Sequence, residues 1–206
     1  MTPDWFLAVT IFALVTCFTP GPNNTMLTAS GLNFGFARSM AHVLGVSIGF
    51  AGMVLAVALG IGAIFVMFPG LYVALKVVSI IYLLWLAWRI ASASPKMGLT
   101  EGARPLTLLE GAAFQWVNPK AWTMTLSAST TYVAAESPTQ SIIVMSIVFL
   151  IAGLASSSTW AAGGTALRRL IGRPRLIRAI NIVLALLLVG SLTPALRELL
   201  SAAFAP

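Results

Sequence analysis

The sequence predicts an all-α membrane protein of six transmembrane helices, arranged as two inverted three-helix repeats with discontinuous helices 1 and 4. Three observations predict it. The 206 residues are 59% hydrophobic and 8% charged, with a mean hydropathy of +0.96, whereas a soluble domain carries roughly 25% charged residues. Six apolar windows of about the 20 residues needed to cross a bilayer use up the chain: Trp5–Ala29, Ala41–Val66, Leu71–Ile90, Thr107–Val133, Ser141–Leu167 and Ile177–Leu200. Two of these windows, the first and the fourth, are interrupted by proline and asparagine. The expectation is one transmembrane domain over 1–206, with 1–92 and 106–206 as its halves and no separate soluble domain.

The first window holds Thr19-Pro20-Gly21-Pro22-Asn23-Asn24 where a continuous helix ought to run. Each proline removes a backbone donor and clashes with the carbonyl four residues back, and Gly21 adds freedom between them. In hydrocarbon, unpaired backbone groups are tolerated only in contact with protein or a wet cavity, so the hexapeptide marks a substrate path. Asp4 and the absence of an early Lys or Arg argue against a cleaved signal peptide. In the second window Ala41, Gly45 and Gly49, then Gly52, Ala56 and Gly60, recur every four residues. Such stripes let helix backbones approach closely in lipid, which makes these glycines packing positions. The third and sixth windows read as uninterrupted spans. In the fourth, Val117-Asn118-Pro119-Lys120 forms the second break. It lies about 18 Å along its helix, as the first break lies about 22 Å along its own, and both fall inside a core about 30 Å thick. Thr25-Met26 after the first break is echoed by Thr123-Met124 after the second. Breaks in spans that start from opposite faces are the design of inverted-repeat transporters, which bind substrate near the midplane on discontinuous helices.

Charge sets orientation. The connectors after spans one, three and five hold Arg38, then Arg89, Lys96 and Arg104, then Arg168, Arg169, Arg173, Arg175 and Arg178; the opposite side holds Arg197 alone. Positively charged loops stay in the cytoplasm, so both termini are expected outside a bacterial inner membrane. The net charge of +7 is thereby assigned to lipid headgroups rather than nucleic acid.

Several enzyme classes are excluded. Cys17 is the only cysteine and His42 the only histidine, so no metal ligand set and no C-x-x-C redox pair exists. Gly45-Val46-Ser47-Ile48-Gly49 spells a nucleophile-elbow motif, but that motif requires a strand-to-helix turn and here lies within a span. No cofactor and no catalytic residue is expected. A channel or a structural subunit is the alternative class.

The motif T-P-G-P-N-N at 19–24, with Gly31, Gly35, Gly45 and Gly49, resembles the first half of the LysE/RhtB amino-acid exporters. Lys76 with Tyr82-Leu83, and Gly111 with Asn118-Pro119-Lys120-Ala121, look like that family's third and fourth spans. Thr2-Pro3, Gly35-Phe36, Gly45-x-Ser47-x-Gly49-Phe50, Tyr82 to Trp88, Gln115-x-Val117-Asn118 and Asn181 to Val189 are closer still to its cysteine and O-acetylserine branch. The resemblance implies efflux of a small amino acid or derivative, driven by the membrane's ion gradient, in a lipid bilayer and with a homo-oligomer open.

A zwitterion needs a partner for each charge. The helices restarting after Pro22 and Pro119 offer free N–H groups and a partial positive charge to a carboxylate. Carbonyls freed around Pro20 and Gly21, with the amides of Asn23, Asn24 and Asn118, can take the ammonium, or those amides repair the broken backbone. Lys120 is the one cation placed deep in a span, where charge costs at least about 2.5–3.5 kcal/mol. It either meets the substrate carboxylate, gates the path, or pairs with carbonyls of the first break. Gln115, one turn before Asn118, shares its face. Ser156 to Thr159 either line the path or bond back to their own helix. Lys76 is expected to snorkel outward and His42 to sit at the cytoplasmic interface. No Asp or Glu falls at a span midpoint, so no proton carrier is evident.

Overall fold

The computed structural model describes residues 1–93, 104–171 and 174–203; Lys96, Glu101 and Arg173 lie outside them. All described regular structure is helical. Four helical stretches are long and apolar enough to cross a membrane: Phe36–Ile61, Gly70–Ala91, Pro138–Arg168 and Arg175–Arg197. A bent pair, Pro3–Phe18 with Pro22–Phe34, forms a fifth candidate, with 56° between its halves.

Helix α1 (Pro3–Phe18) is capped by Thr2, whose hydroxyl accepts the Trp5 N–H, and has Asp4 in its first turn. Both favour a helix N-terminus. The chain leaves the helix at Thr19 and restarts as α2 (Pro22–Phe34) with proline at the first helical position, where its missing donor costs nothing. Gly35, at φ 82°, turns α2 directly into α3 (Phe36–Ala56). That left-handed conformation suits glycine. The second window then departs from a simple span. A π turn over Val57–Ile61 contains Gly60 at φ 110°, and a short α4 (Ala63–Met67) follows.

After α5 (Pro69–Ala91), the fourth window comprises α6 (Leu108–Phe114), a 3₁₀ turn over Gln115–Val117 and α7 (Pro119–Tyr132). Thr107 and Glu110 form a reciprocal capping box at the start of α6, and Arg104 grips Glu110 through two bonds of 2.6 and 2.7 Å. The fifth window is one uninterrupted helix, α8 (Pro138–Ile171). The sixth, expected to be continuous, is one span over Arg175–Arg197, built from α9 (Pro174–Gly190) and α10 (Thr193–Ala203) with a two-residue turn between them. Gly190 and Pro194 bracket the turn, and proline cannot donate to the preceding turn.

The main packed pairs are α2 with α8, α3 with α6, α3 with α8 and α5 with α9. Glycine makes the closest approaches possible. A Cβ on Gly45 or Gly49 would run into the backbone of Leu108 or Ala112 on α6; one on Gly31 or Gly164 would run into Ala161 or Thr28 across the α2–α8 contact. Gly52 and Gly60, expected to pack helices, face open space. Gly60 instead serves the backbone of the π turn.

Three apolar clusters form, the smallest joining Leu27, Val43, Val46 and Ala161. Of the two larger, one joins Val9, Ala13, Phe50, Met53, Trp122 and Phe149; the other joins Met26, Leu83, Leu86, Phe114, Leu184 and Leu188. Outside them Trp88 (72% exposed), Leu186 (64%) and Ile151 (62%) face outward, as a lipid-solvated surface requires.

Candidate functional site: the paired helix breaks

The first and fourth windows lie side by side in opposite directions. Trp5 Nε1 donates to the Tyr132 carbonyl at 3.0 Å, Lys120 Nζ to the Thr19 carbonyl at 2.5 Å, and Asn23 and Gln115 exchange amide bonds of 2.9 and 3.2 Å. Residue numbers fall along one segment as they rise along the other, which brings the two proline breaks to the same level.

At the first break, carbonyls left without helical partners are collected by side chains. Asn24 Nδ2 donates to Cys17 O and Thr19 O, both at 2.9 Å, and Ser156 Oγ donates to Cys17 O at 2.8 Å. Lys120 Nζ reaches Pro20 O at 3.5 Å as well as Thr19 O. At the second break, Asn118 caps α7 by accepting the Lys120 N–H at 3.1 Å. The Asn118 N–H returns to Gln115 O at 3.2 Å, the carbonyl that Pro119 cannot serve. Gln115, fully buried, also donates to Gly111 O at 2.9 Å.

Between the breaks is a pocket of about 30 Å³ that includes Gly21, Asn23, Asn24, Asn118, Lys120 and Cys17 in its walls. Gly153, Ser156 and Ser157 of α8 and Val46 and Phe50 of α3 complete the enclosure. Gln115 stands behind Asn23 rather than in the wall. Pro22 and Pro119 open α2 and α7 and supply no polar group. None of the wall residues is acidic; Glu110, the acid of α6, is held by Arg104 and by the Thr107 backbone and stays 40% exposed.

One expectation fails. Lys76 does not snorkel: it is 6% exposed, with its ammonium 4.1 Å from the Tyr72 ring centre, an aromatic face one turn earlier that suits a cation. His42 is buried: it is 2% exposed, neither ring nitrogen has a hydrogen-bond partner among the described residues, and it borders a separate cavity of about 160 Å³ with Asn33, Arg89 and Arg104. The direct join at Gly35 starts α3 at Phe36, a turn and a half before His42, and draws the histidine inside.

Of the run Ser156 to Thr159, left open between lining the path and bonding back to its own helix, Ser156 and Ser157 line the pocket. Sequence reasoning missed the partner of Ser156, the Cys17 carbonyl, which carries no side-chain signal at all. Thr159 in the same run is exposed and bonds back to Ala155 O at 2.8 Å. The reciprocal amide pair of Asn33 and Asn181, at 3.0 Å both ways, also went unforeseen.

Residues 14–191 match the family model described as LysE type translocator. The chain belongs to that family. This LysE type translocator is therefore a multi-pass membrane transporter and not an enzyme. It is similar to the cysteine/O-acetylserine efflux proteins of Escherichia coli strain K12 and Shigella flexneri, 33% identical to each over 191 residues, or 92% of this chain and 96% of each relative. The cysteine/O-acetylserine efflux protein of Escherichia coli O1:K1 / APEC is 32% identical over the same length. No solved structure matches the translocator.

Proposed function

We propose that this translocator exports a small neutral amino acid or derivative from the cytoplasm, of the cysteine/O-acetylserine or threonine/homoserine kind, coupled to the proton gradient. The observation that carries the reading is the meeting of two proline breaks from antiparallel segments around one polar pocket. A zwitterion would be bound there, its ammonium toward the Thr19 and Pro20 carbonyls with the amides of Asn23, Asn24 and Asn118. Its carboxylate would lie toward Lys120 and the start of α7, where free N–H groups and the helix dipole favour negative charge. Pro20, Gly21, Pro22 and Pro119 keep the backbone open, and Gln115 holds Asn23.

The six-span inverted repeat is part of the proposal. The contact of the first window with α8 has its counterpart in the contact of the fourth window with α3, as a two-fold relation between halves 1–92 and 106–206 would require. With the basic loops inside, both termini lie outside. A pocket of about 30 Å³ favours a carrier over a standing pore. The test is flux from proteoliposomes loaded with radiolabelled cysteine, O-acetylserine, threonine or homoserine. Saturable flux that collapses with the pH gradient is expected, and a non-saturating leak would make the protein a channel.

A further inference from the structure

We propose that the Thr19 and Pro20 carbonyls form an ammonium site which Lys120 itself occupies in the empty carrier, and that the substrate's ammonium replaces Lys120 in each transport cycle. This rests on the reading that the paired breaks bind an amino acid. It adds what the substrate must displace, and why it must be a zwitterion.

Lys120 Nζ stands 2.5 Å from Thr19 O and 3.5 Å from Pro20 O, two neutral acceptors that match the donor geometry of any primary ammonium. The neighbouring carbonyl, Cys17 O, already accepts from both Asn24 and Ser156, whereas Thr19 O accepts from Asn24 alone besides Lys120, so the site is confined to the two that Lys120 reaches. Gly21 shows that the lysine's path is built in. A Cβ there would lie 2.8 Å from Lys120 Cδ and 3.2 Å from Nζ. Gly21 has φ −179°, an extended conformation open to every residue, so glycine is needed for the room the lysine chain fills and not for its backbone.

Charge then selects the ligand. No acidic residue lines the pocket, so the lysine's only compensation is carbonyl dipoles. An amine without a carboxylate would add a second cation to a site with no anion, and like charges at such range repel. A zwitterion leaves the site's net charge unchanged. Its ammonium takes the two carbonyls, and the released Lys120 meets its carboxylate. Because Lys120 ties the second break to the first, the same exchange removes that tie and lets the pocket open.

The test is equilibrium binding of radiolabelled cysteine, of cysteamine (its decarboxylated counterpart) and of 3-mercaptopropionate (its deaminated one) to the purified full-length protein. Wild type is expected to bind cysteine and to reject cysteamine. Lys120→Met should bind cysteamine at least tenfold more tightly than wild type while its affinity for 3-mercaptopropionate falls. Gly21→Ala, which retains the lysine's charge but crowds it off the carbonyls, should go on rejecting cysteamine and keep its affinity for 3-mercaptopropionate. Unchanged or weaker cysteamine binding in Lys120→Met, or cysteamine binding gained by Gly21→Ala, would overturn the proposal. A wild type that neither binds nor transports any amino acid of the panel would instead overturn the functional reading beneath it.

Discussion

The half of the bundle built on α2 and α6 and the half built on α1 and α7 are held together by different means. On the α2/α6 side, glycines press backbone against backbone: Gly31 on Ala161, Gly164 on Thr28, Gly45 on Leu108, Gly49 on Ala112. On the α1/α7 side the joints are side chains: Lys120 on Thr19, Trp5 on Tyr132, Phe12 against Phe149 at 6.2 Å. Backbone contacts through glycine have one geometry and no slack. Long side chains can let go and re-form. The contrast assigns the rigid seal to the α2/α6 side and the movable one to the α1/α7 side, with the pocket between them.

The largest effect should come from breaking the rigid side. Gly31→Val would drive a side chain into the Ala161 carbonyl. Overpacking costs about 1–3 kcal/mol even where side chains yield, and here the obstacle is backbone. Loss of the monodisperse, folded species on size-exclusion chromatography is expected, with Gly52→Ala unaffected because nothing lies near it. A well-folded Gly31→Val would erase the distinction between the halves.

On the movable side the same logic inverts the outcome. Asn118→Ala removes the cap of α7, and caps contribute about 0.5–2 kcal/mol, a local loss that insertion survives. Transport should nevertheless fall by two orders of magnitude or more, because the N-terminus facing the pocket loses its position. Lys120→Met should also insert and fail to transport. Wild-type flux in proteoliposomes from either variant would return these residues to a purely structural role.

What the sequence disclosed follows the same division. Proline breaks are legible because their consequence is covalent and local: Pro20, Pro22 and Pro119 each remove a backbone donor and interrupt the helical ladder. Spacing put Gln115 on the face of Asn118, and Lys120, read from the sequence as a cation deep in a span, proved to lie at the breaks. What remained hidden depends on partners remote in the chain. Gly45 and Gly52 are indistinguishable in a stripe of small residues, yet one meets Leu108 and the other meets nothing. His42 reads as an edge residue until the direct join at Gly35 draws it inside. The turn between α9 and α10 was written in Gly190 and Pro194, but an apolar run on both sides concealed it.

Between the two halves stands the Asn23–Gln115 pair, on the α2/α6 side of the pocket. Its reciprocal bonds of 2.9 and 3.2 Å predict energetic coupling. Polar pairs between membrane helices average about 0.6 kcal/mol and reach about 1.7. A double-mutant cycle with Asn23→Ala and Gln115→Ala, read by thermal unfolding, should therefore return a coupling within that range. Additive losses would mean the two amides act independently.

The smallest effect is also the one that resolves direction. Cys17 is the only cysteine, it is 9% exposed, and it lines the pocket, so a membrane-impermeant thiol reagent reports which side opens. In the resting protein labelling should be slow from both faces. Lys120→Gln cuts the tie on the α1/α7 side alone, so labelling should rise several-fold from that face, the outer one if the basic loops are cytoplasmic. Substrate added to wild type should produce the same rise, since both remove the lysine from Thr19. Equal acceleration from both faces would show that Lys120 stabilises the whole bundle rather than one of its two sides.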